Sequence, residues 1–160
     1  MELCSLVPYG TTTTQGVSDT ANFVVRLSAK YDREWRTSTD FFRDMSRALD
    51  ELVDMCGEAS SPNWDGYSGL AVDAEACEMA QKVLRVLPLG TEMPPVAPDA
   101  DGFVSLEWYR GPRRTLSISI SPEGELYYAA LIGASSRHGT QILYDSLPSD
   151  LMDLIRKVTS

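Results

Sequence analysis

Four short runs of alternating apolar and polar residues, spread over residues 103–144, constrain the fold of this chain more than any other feature. The runs cover residues 103–109, 115–120, 125–132 and 140–144, and a turn signal separates each run from the next. Because neighbouring side chains of a strand point to opposite faces of a sheet, each run predicts one half-buried strand. The connections between the runs are short, so we predict an antiparallel β-meander.

One face of the predicted sheet is apolar and the other is polar. The apolar face consists of Val104, Leu106, Trp108, Leu116, Ile118, Ile120, Leu126, Tyr128, Ala130, Ile132, Ile142 and Tyr144. The other face carries Ser105, Glu107, Tyr109, Thr115, Ser117, Ser119, Tyr127, Ala129, Gln141 and Leu143. We therefore expect the first face to line a core and the second to be solvated or to bind another molecule.

Amphipathic helices are predicted before and after the meander. The first begins near residues 37–39, whose hydroxyls suit an N-cap, and ends at Gly57 as the C′ residue. The second follows Asp73 as its N-cap and runs through Leu87, and the third occupies the C-terminus up to Val158. The apolar stripes of these helices and the apolar sheet face each need a covering partner. This predicts an α+β domain, a four- or five-stranded antiparallel sheet with helices packed on one face.

The remaining segments are predicted to be extended or irregular. Residues 1–20 are a flexible lead-in, and residues 21–160 form a single domain. The alternation in residues 22–29 predicts a strand at the edge of the meander, and residues 30–36 predict a charged connector. Four prolines in residues 88–101 predict an extended crossing from the helices to the sheet.

The charge balance bears on the partners of the protein. The chain holds 23 acidic and 14 basic residues, a formal net charge of −9. Direct nucleic-acid binding is disfavoured because it requires a basic surface. The charge suits docking on a basic surface of a partner protein, and it equally keeps an ordinary cytosolic protein soluble. A nucleic-acid mimic would need a row of carboxylates at phosphate-like spacing, drawn from Asp44, Asp50, Glu51, Asp54 and Glu58.

Cysteine usage and hydropathy indicate the compartment. Cys4, Cys56 and Cys77 are an odd number without CxxC spacing, so we expect buried free thiols, ahead of a redox pair or metal ligands. No run approaches the ~20 apolar residues of a membrane span, and no secretory signal is recognisable at the N-terminus. We expect a cytoplasmic protein without membrane contact, cofactor or metal. An exposed strand at either margin of the sheet suits dimerisation, so a monomer and a homodimer both remain open.

Two motifs relate the chain to a known group of proteins. Residues 63–67 read Asn-Trp-Asp-Gly-Tyr, and residues 101–108 read Asp-Gly-Phe-Val-Ser-Leu-Glu-Trp. Over roughly residues 60–158 the chain resembles a family of uncharacterised bacterial proteins that share an NWDGY loop and a DGxVxLEW strand. The resemblance implies no known activity. It implies a small accessory protein of bacteria and their mobile elements, which favours an antitoxin, immunity or inhibitor role.

Patterns of catalytic residues are scarce. His138 is the single histidine and is expected in a loop over residues 133–139, so multi-histidine metal sites are excluded. No GxSxG elbow and no phosphate-binding glycine loop occurs. Glu107 is the weak catalytic candidate, because it stands mid-strand among hydroxyl side chains and can act as a general base. The alternative for Glu107 is ordinary pairing on the sheet face with Arg113, Arg114 or a helix residue.

Aromatic and arginine side chains are the better candidates, since such residues dominate binding hot spots. The predicted partner-binding residues are Trp64, Asp65, Tyr67, Tyr109, Tyr127, Arg110, Arg113 and Arg114, and Arg137 extends the arginine patch at the hairpin tip. The alternative for the loop is structural, with Asn63 and Asp65 completing turns and the two rings locking the loop to the sheet.

These observations predict a non-catalytic bacterial protein-binding module of antitoxin, immunity or inhibitor type. A small hydrolase or transferase centred on Glu107 is one alternative, and an acidic nucleic-acid mimic is another. The geometry around Glu107 separates the first two hypotheses. A deep pocket with a second polar group aimed at the same point favours the enzyme, whereas a flat or convex face favours the binding module.

Overall fold

The fold is described here from a computed structural model, which describes the backbone of residues 19–160 and the side chains of residues 22–160. Its elements are α1 (Asp19–Glu58), α2 (Ala74–Val86), β1 (Val96–Pro98), β2 (Val104–Gly111), β3 (Arg114–Ile120), β4 (Glu125–Ile132), β5 (Ser135–Ile142) and α3 (Ser149–Thr159). All five strands form one antiparallel sheet in the order β1-β2-β3-β4-β5. The predicted α+β class and the antiparallel meander are confirmed.

Backbone contacts divide the chain into two compact units, Met1–Arg36 and Thr37–Ser160. The second unit contains the sheet, α2 and α3. In the first unit, the described residues are helical. The predicted lead-in over residues 1–20 falls outside the described residues except for its last two, which are helical.

The core of the second unit lies between one face of the sheet, its inner face, and the helices. The strands direct Val104, Leu106, Trp108, Leu116, Ile118, Ile120, Leu126 and Ala130 to this face, and none is more than 5% exposed. Helices α2 and α3 contact the strands, and α1 adds Ala48 and Leu52 to the same core. Alternation in the strands predicts the buried positions of the sheet correctly.

Helix α1 begins much earlier than the sequence predicts. Residues 22–29 are helical instead of forming an edge strand, and residues 30–36 continue the helix instead of forming a connector. No glycine or proline interrupts residues 19–56, so nothing ends the helix, whereas the alternation in residues 22–29 is short and spoiled by three consecutive apolar residues. Gly57 is likewise wrong as the C′ residue, because α1 runs to Glu58.

The fifth strand comes from the proline-rich crossing. Strand β1 pairs Val96 with Leu106 and Pro98 with Val104 along the outer edge of β2. Proline is tolerated at this place because the N–H groups on the free side of an edge strand need no partner within the sheet. The crossing is therefore extended, as predicted, but part of it joins the sheet.

Strand β5 begins five residues earlier than predicted, and its faces are reversed. Residues 133–139 do not form a long loop, because Gly133 and Ala134 alone make the turn between β4 and β5. Gly139 lies within β5, where a Cβ atom would stand 2.9 Å from the Tyr128 hydroxyl oxygen. Gly139 is needed because the Tyr128 ring packs where a Cβ atom would lie. The prediction wrongly interpreted this glycine as part of a loop.

The reversed faces change which side chains of the last strand are buried. Glu125 pairs with Ile142, which places Ile142 on the outer face, and Ile142 is 46% exposed. Tyr144 is 77% exposed, whereas Leu143 packs against the core. The prediction that Ile142 and Tyr144 line the core was wrong for this reason.

A disulfide joins the two helices that precede the sheet. Cys56 of α1 and Cys77 of α2 are bonded, with their Cα atoms 6.5 Å apart. The prediction of buried free thiols is therefore wrong for these two residues, and Cys4 lies outside the described residues. The sequence hides the pair because cysteines 21 residues apart meet only when two separate helices pack together.

Helix ends follow local capping chemistry. Asp73 caps α2 as predicted, since its carboxylate accepts a hydrogen bond of 2.9 Å from the Glu75 N–H. Pro148 precedes α3 and makes no side-chain capping hydrogen bond. None of the helices in the described part of the chain is both long and apolar enough to cross a membrane.

Candidate binding face

The outer face of the sheet is the face that points away from α2 and α3. Its side chains are Ser105, Glu107, Tyr109, Thr115, Ser117, Ser119, Glu125, Tyr127, Ala129, Leu131, Ser136, His138, Thr140 and Ile142. Small side chains occupy the centre, where Ser117 lies opposite both Glu107 and Ala129. Tyr109 is 61% exposed and Tyr127 is 40% exposed, so larger rings stand above the small residues.

An open groove runs over β3, β4 and β5 on this face. It measures about 400 Å³ and is lined by Ser117, Ser119, Tyr127, Tyr128, Ala129, His138, Gly139 and Thr140. His138 is an exposed strand residue here and not part of a loop, which corrects the prediction. The groove is shallow and lined with hydroxyl groups and apolar atoms, which suits contact with a protein surface.

One end of the outer face is ordered by a carboxylate that the sequence analysis did not select. Asp99, between β1 and β2, accepts hydrogen bonds from the hydroxyls of Ser105, at 2.7 Å, and of Ser119. Nearby, the rings of Phe103 and Tyr127 stack with their centroids 6.0 Å apart. No sequence pattern links Asp99 to Ser119, because they are 20 residues apart and belong to different hairpins.

Tyr127 is held in place at this end by two contacts. Besides the stacked ring of Phe103, its hydroxyl donates a hydrogen bond to the Glu125 carboxylate. This hydrogen bond, together with burial and the negative charge of Glu125, raises the pKa of Tyr127 above its usual value. Tyr127 is therefore a positioned, neutral aromatic side chain with an exposed edge.

Glu107 is one of the residues that line a small cleft beside β2. The cleft measures about 130 Å³ and is lined by Glu92, Met93, Pro94, Pro95, Glu107, Trp108, Tyr109 and Arg110. Arg110 forms an ion pair with Glu92, and the Trp108 indole N–H donates to the Glu92 carbonyl at 2.9 Å. The Glu107 carboxylate has no hydrogen bond or ion pair with any described residue. Pockets that hold small ligands usually measure about 300–1,000 Å³.

The NWDGY loop, residues 63–67, is built around its two short polar side chains. Asn63 accepts a hydrogen bond of 2.9 Å from the Ser68 N–H, and its backbone takes a positive φ of 66°. Asp65 accepts hydrogen bonds from the N–H groups of Tyr67, at 2.8 Å, and Gly69, at 2.9 Å. The bonds from Gly69 and Tyr67 lower the pKa of Asp65. These contacts agree with the structural alternative for Asn63 and Asp65.

The two rings of this loop are placed differently. Trp64 packs against the core and donates its indole N–H to the Leu70 carbonyl at 2.9 Å. Tyr67 is 90% exposed. Tyr67 is thus the aromatic side chain of the loop that is fully available to a partner, while Trp64 fixes the loop.

The predicted arginine patch is divided among three places. Arg110 pairs with Glu92 beside the cleft. Arg114 donates to the carbonyls of Lys157, at 3.4 Å, and Val158, at 3.1 Å, at the C-terminus of α3, where a cation is favourable. Arg113 is exposed at the β2–β3 turn. The structure therefore does not bring the three arginines together as one anion-binding cluster.

The acidic residues of α1 in the second unit are partly neutralised by arginines. Arg43 pairs with Asp40 and Asp44, and Arg47 pairs with Asp44 and Glu51. These arginines interrupt the row of negative charges that a nucleic-acid mimic needs. Within residues 22–160, no three side chains of histidine, cysteine, aspartate or glutamate come together as a candidate metal site.

The first unit exposes an apolar helical surface that the sequence analysis missed. Phe23, Val24, Val25 and Tyr31 are between 53% and 63% exposed, and Leu27 is 37% exposed. Phe23, Leu27 and Tyr31 are spaced four residues apart, which places them on one side of a helix. The interpretation of residues 22–29 as a strand concealed this spacing.

No protein family, curated protein or solved structure matches this chain.

Proposed function

We propose that this chain is a non-catalytic bacterial protein-binding module of the antitoxin, immunity or inhibitor type, which docks its outer sheet face on a partner protein. The observation that carries the proposal is the outer face itself. It has small side chains at the centre and exposed tyrosines above them, and α2 and α3 pack on the opposite face of the sheet. Such a face can accept a complementary surface with little loss of side-chain entropy.

The geometry at Glu107 supports a binding module over a hydrolase or transferase. A cleft of about 130 Å³ is too small to enclose most substrates. The cation that lines the same cleft, on Arg110, is paired with Glu92 and not with Glu107. A general base needs a convergent arrangement of polar groups.

The partner in this proposal is a protein, possessing a basic surface, and not a nucleic acid. The net charge of −9 attracts a basic surface at long range and opposes approach to phosphates. The paired arginines of α1 weaken the alternative of a nucleic-acid mimic. Tyr67, Tyr109 and Tyr127 are the candidate contact residues, since each exposes an aromatic ring.

A cytoplasmic site of action belongs to the same proposal. The Cys56–Cys77 disulfide is the feature that weighs against it, because glutathione and thioredoxin keep cytosolic thiols reduced. Fractionation of producing cells, with the thiols alkylated at lysis, measures both the compartment and the redox state of the pair.

The test compares two charge-matched variants in affinity capture from a bacterial lysate. Ala129→Arg places a long cation at the centre of the outer face, and Ser46→Arg places one on an exposed position of α1. We expect wild type and Ser46→Arg to retain one stoichiometric partner and Ala129→Arg to lose it while its circular dichroism is unchanged. The proposal is contradicted if Ala129→Arg captures the partner as well as wild type does. It is also contradicted if the protein turns over a substrate and Glu107→Gln abolishes that turnover.

A further inference from the structure

The two edges of the sheet differ in how they are protected. Strand β1 has three residues, and Pro94, Pro95 and Pro98 lie in or beside it. Strand β5 has eight residues and no proline, and within the described chain it pairs with β4 alone. Natural sheets protect their edges with short strands, prolines and charges, because an open edge offers unpaired backbone groups to another strand.

The turn between β4 and β5 determines which backbone groups of β5 are free. Gly133, with φ of +62°, and Ala134 form a two-residue turn, so the flanking pair, Ile132 and Ser135, is hydrogen-bonded. Along β4 and β5, hydrogen-bonded pairs then alternate with pairs that are not hydrogen-bonded to each other. The bond of 2.9 Å from the Leu143 N–H to the Gly124 carbonyl falls at a hydrogen-bonded position of this pattern.

Every second residue of β5 therefore turns its N–H and C=O groups outward. These residues are Ser136, His138, Thr140 and Ile142. No hydrogen bond from a described residue reaches their outward groups. The strand also lacks acidic residues, since Arg137 and His138 are its ionisable side chains. The net charge of the chain is −9, but β5 carries no negative side chain.

We propose that two copies of this chain associate through β5, antiparallel about a two-fold axis at Gly139, to form one continuous ten-stranded sheet. In this register His138 lies opposite the partner's Thr140, and Ser136 lies opposite the partner's Ile142. All outward backbone groups of both strands are then paired. This inference concerns the edge of the sheet and goes beyond the proposed function of its outer face.

The side chains favour this register over its neighbour. Arg137 lies opposite the partner's Gln141, so no like charges face each other across the junction. If the two strands were shifted by two residues, His138 would lie opposite the partner's His138. Ile142 would then lie opposite the partner's β4–β5 turn. The arrangement is self-complementary, as a two-fold interface requires, and this favours a second copy over an unrelated strand.

An apolar groove at the end of β5 fits the same arrangement. It measures about 450 Å³ and is lined by Thr140, Gln141, Ile142, Tyr144, Ser146 and Pro148. In the proposed register the partner's Ala134, at the tip of its β4–β5 turn, lies opposite Tyr144. Tyr144 and Ile142 are 77% and 46% exposed in the single chain. The partner's turn covers these side chains at both ends of the interface.

The first test measures the dimer by sedimentation equilibrium of the full-length chain and two variants. Thr140→Pro removes an outward N–H group, whereas Thr140→Val changes the side chain and keeps it. We expect wild type and Thr140→Val to dimerise alike, and Thr140→Pro to raise the dissociation constant roughly tenfold or more, since each dimer loses two backbone hydrogen bonds. Added salt is expected to strengthen the dimer by screening the net charges.

The second test needs no variant and applies even if Thr140→Pro fails to fold. Amide hydrogen exchange of the purified wild type is followed at low and high protein concentration. We expect the amides of Ser136, His138, Thr140 and Ile142 to become protected as concentration rises. A monomer at every concentration, a dimer unaffected by Thr140→Pro, or free exchange of these four amides at high concentration overturns the proposal. A strand of another protein as the occupant is indicated if protection appears only in lysate.

Discussion

Asp65 shows how one side chain shapes a loop through hydrogen bonds to the backbone of that loop. Its carboxylate accepts hydrogen bonds from the Gly69 and Tyr67 N–H groups, and these bonds lower its pKa from 3.8. Since the folded-state pKa lies below the unfolded one, Asp65 stabilises the fold at pH values above the unfolded pKa. This contribution is lost as the pH falls through the folded pKa.

We predict that Asp65→Asn lowers the urea midpoint at pH 7 and that the difference from wild type narrows as the pH falls below the unfolded-state pKa. The reason is that the neutral amide accepts the two N–H bonds more weakly than the ionised carboxylate does. Asp101→Asn is the control, because its side chain accepts no hydrogen bond from a described residue. Equal midpoints at pH 7, or a difference independent of pH, would show that Asp65 does not act through its charge.

Helix α1 illustrates what a single element contributes to the core. Leu52 is fully buried and Val53, its neighbour, is 57% exposed. The two neighbours differ because the apolar face of a helix covers only part of its circumference.

We predict that Leu52→Ala lowers the free energy of unfolding by about 2–5 kcal/mol, because it removes buried methyl groups and leaves a cavity. Val53→Ala, the matched control on the same helix, is expected to change it by less than about 0.5 kcal/mol. Chemical denaturation measures both. Comparable losses for the two variants would mean that α1 packs by another face.

The link between α1 and α2 makes a second prediction at the scale of elements. Reducing the Cys56–Cys77 disulfide, or replacing Cys77 by serine, is expected to lower the free energy of unfolding by about 3 kcal/mol, through the entropy of the loop it closes. Thiol titration of the unfolded, unreduced protein should detect no thiol from Cys56 or Cys77. Detection of all three thiols without reductant would refute the pairing.

At the scale of the whole molecule, the backbone contacts separate Met1–Arg36 from Thr37–Ser160. We predict that a chain starting at Thr37 folds with one cooperative thermal transition, since every described residue of the core belongs to the second unit. A chain starting at Asp73 lacks α1, Leu52 and Ala48 and is the comparison that should fold less stably or not at all. Loss of cooperative unfolding in the chain from Thr37 would show that the first unit is required.

The binding face could be predicted only in part from sequence. The alternation of β2, β3 and β4 assigns Glu107, Tyr109, Ser117 and Tyr127 to the outer face correctly, because side-chain direction in a strand follows from local geometry alone. Sequence reasoning missed the role of Asp99, because its contact with Ser119 joins residues that only the folded sheet brings together. It also grouped Arg110 with Arg114, whose partners lie in different elements.

The sequence by itself determined the α+β class, the three central strands, the inner faces of α2 and α3, and the Asp73 cap. Each of these follows from side-chain periodicity or from hydrogen bonds within a few residues. Only the tertiary structure decided the start of α1, the extent of β5 and the Cys56–Cys77 pair. Those features depend on which surfaces meet, as at Gly139, where the packing of the Tyr128 ring explains the glycine.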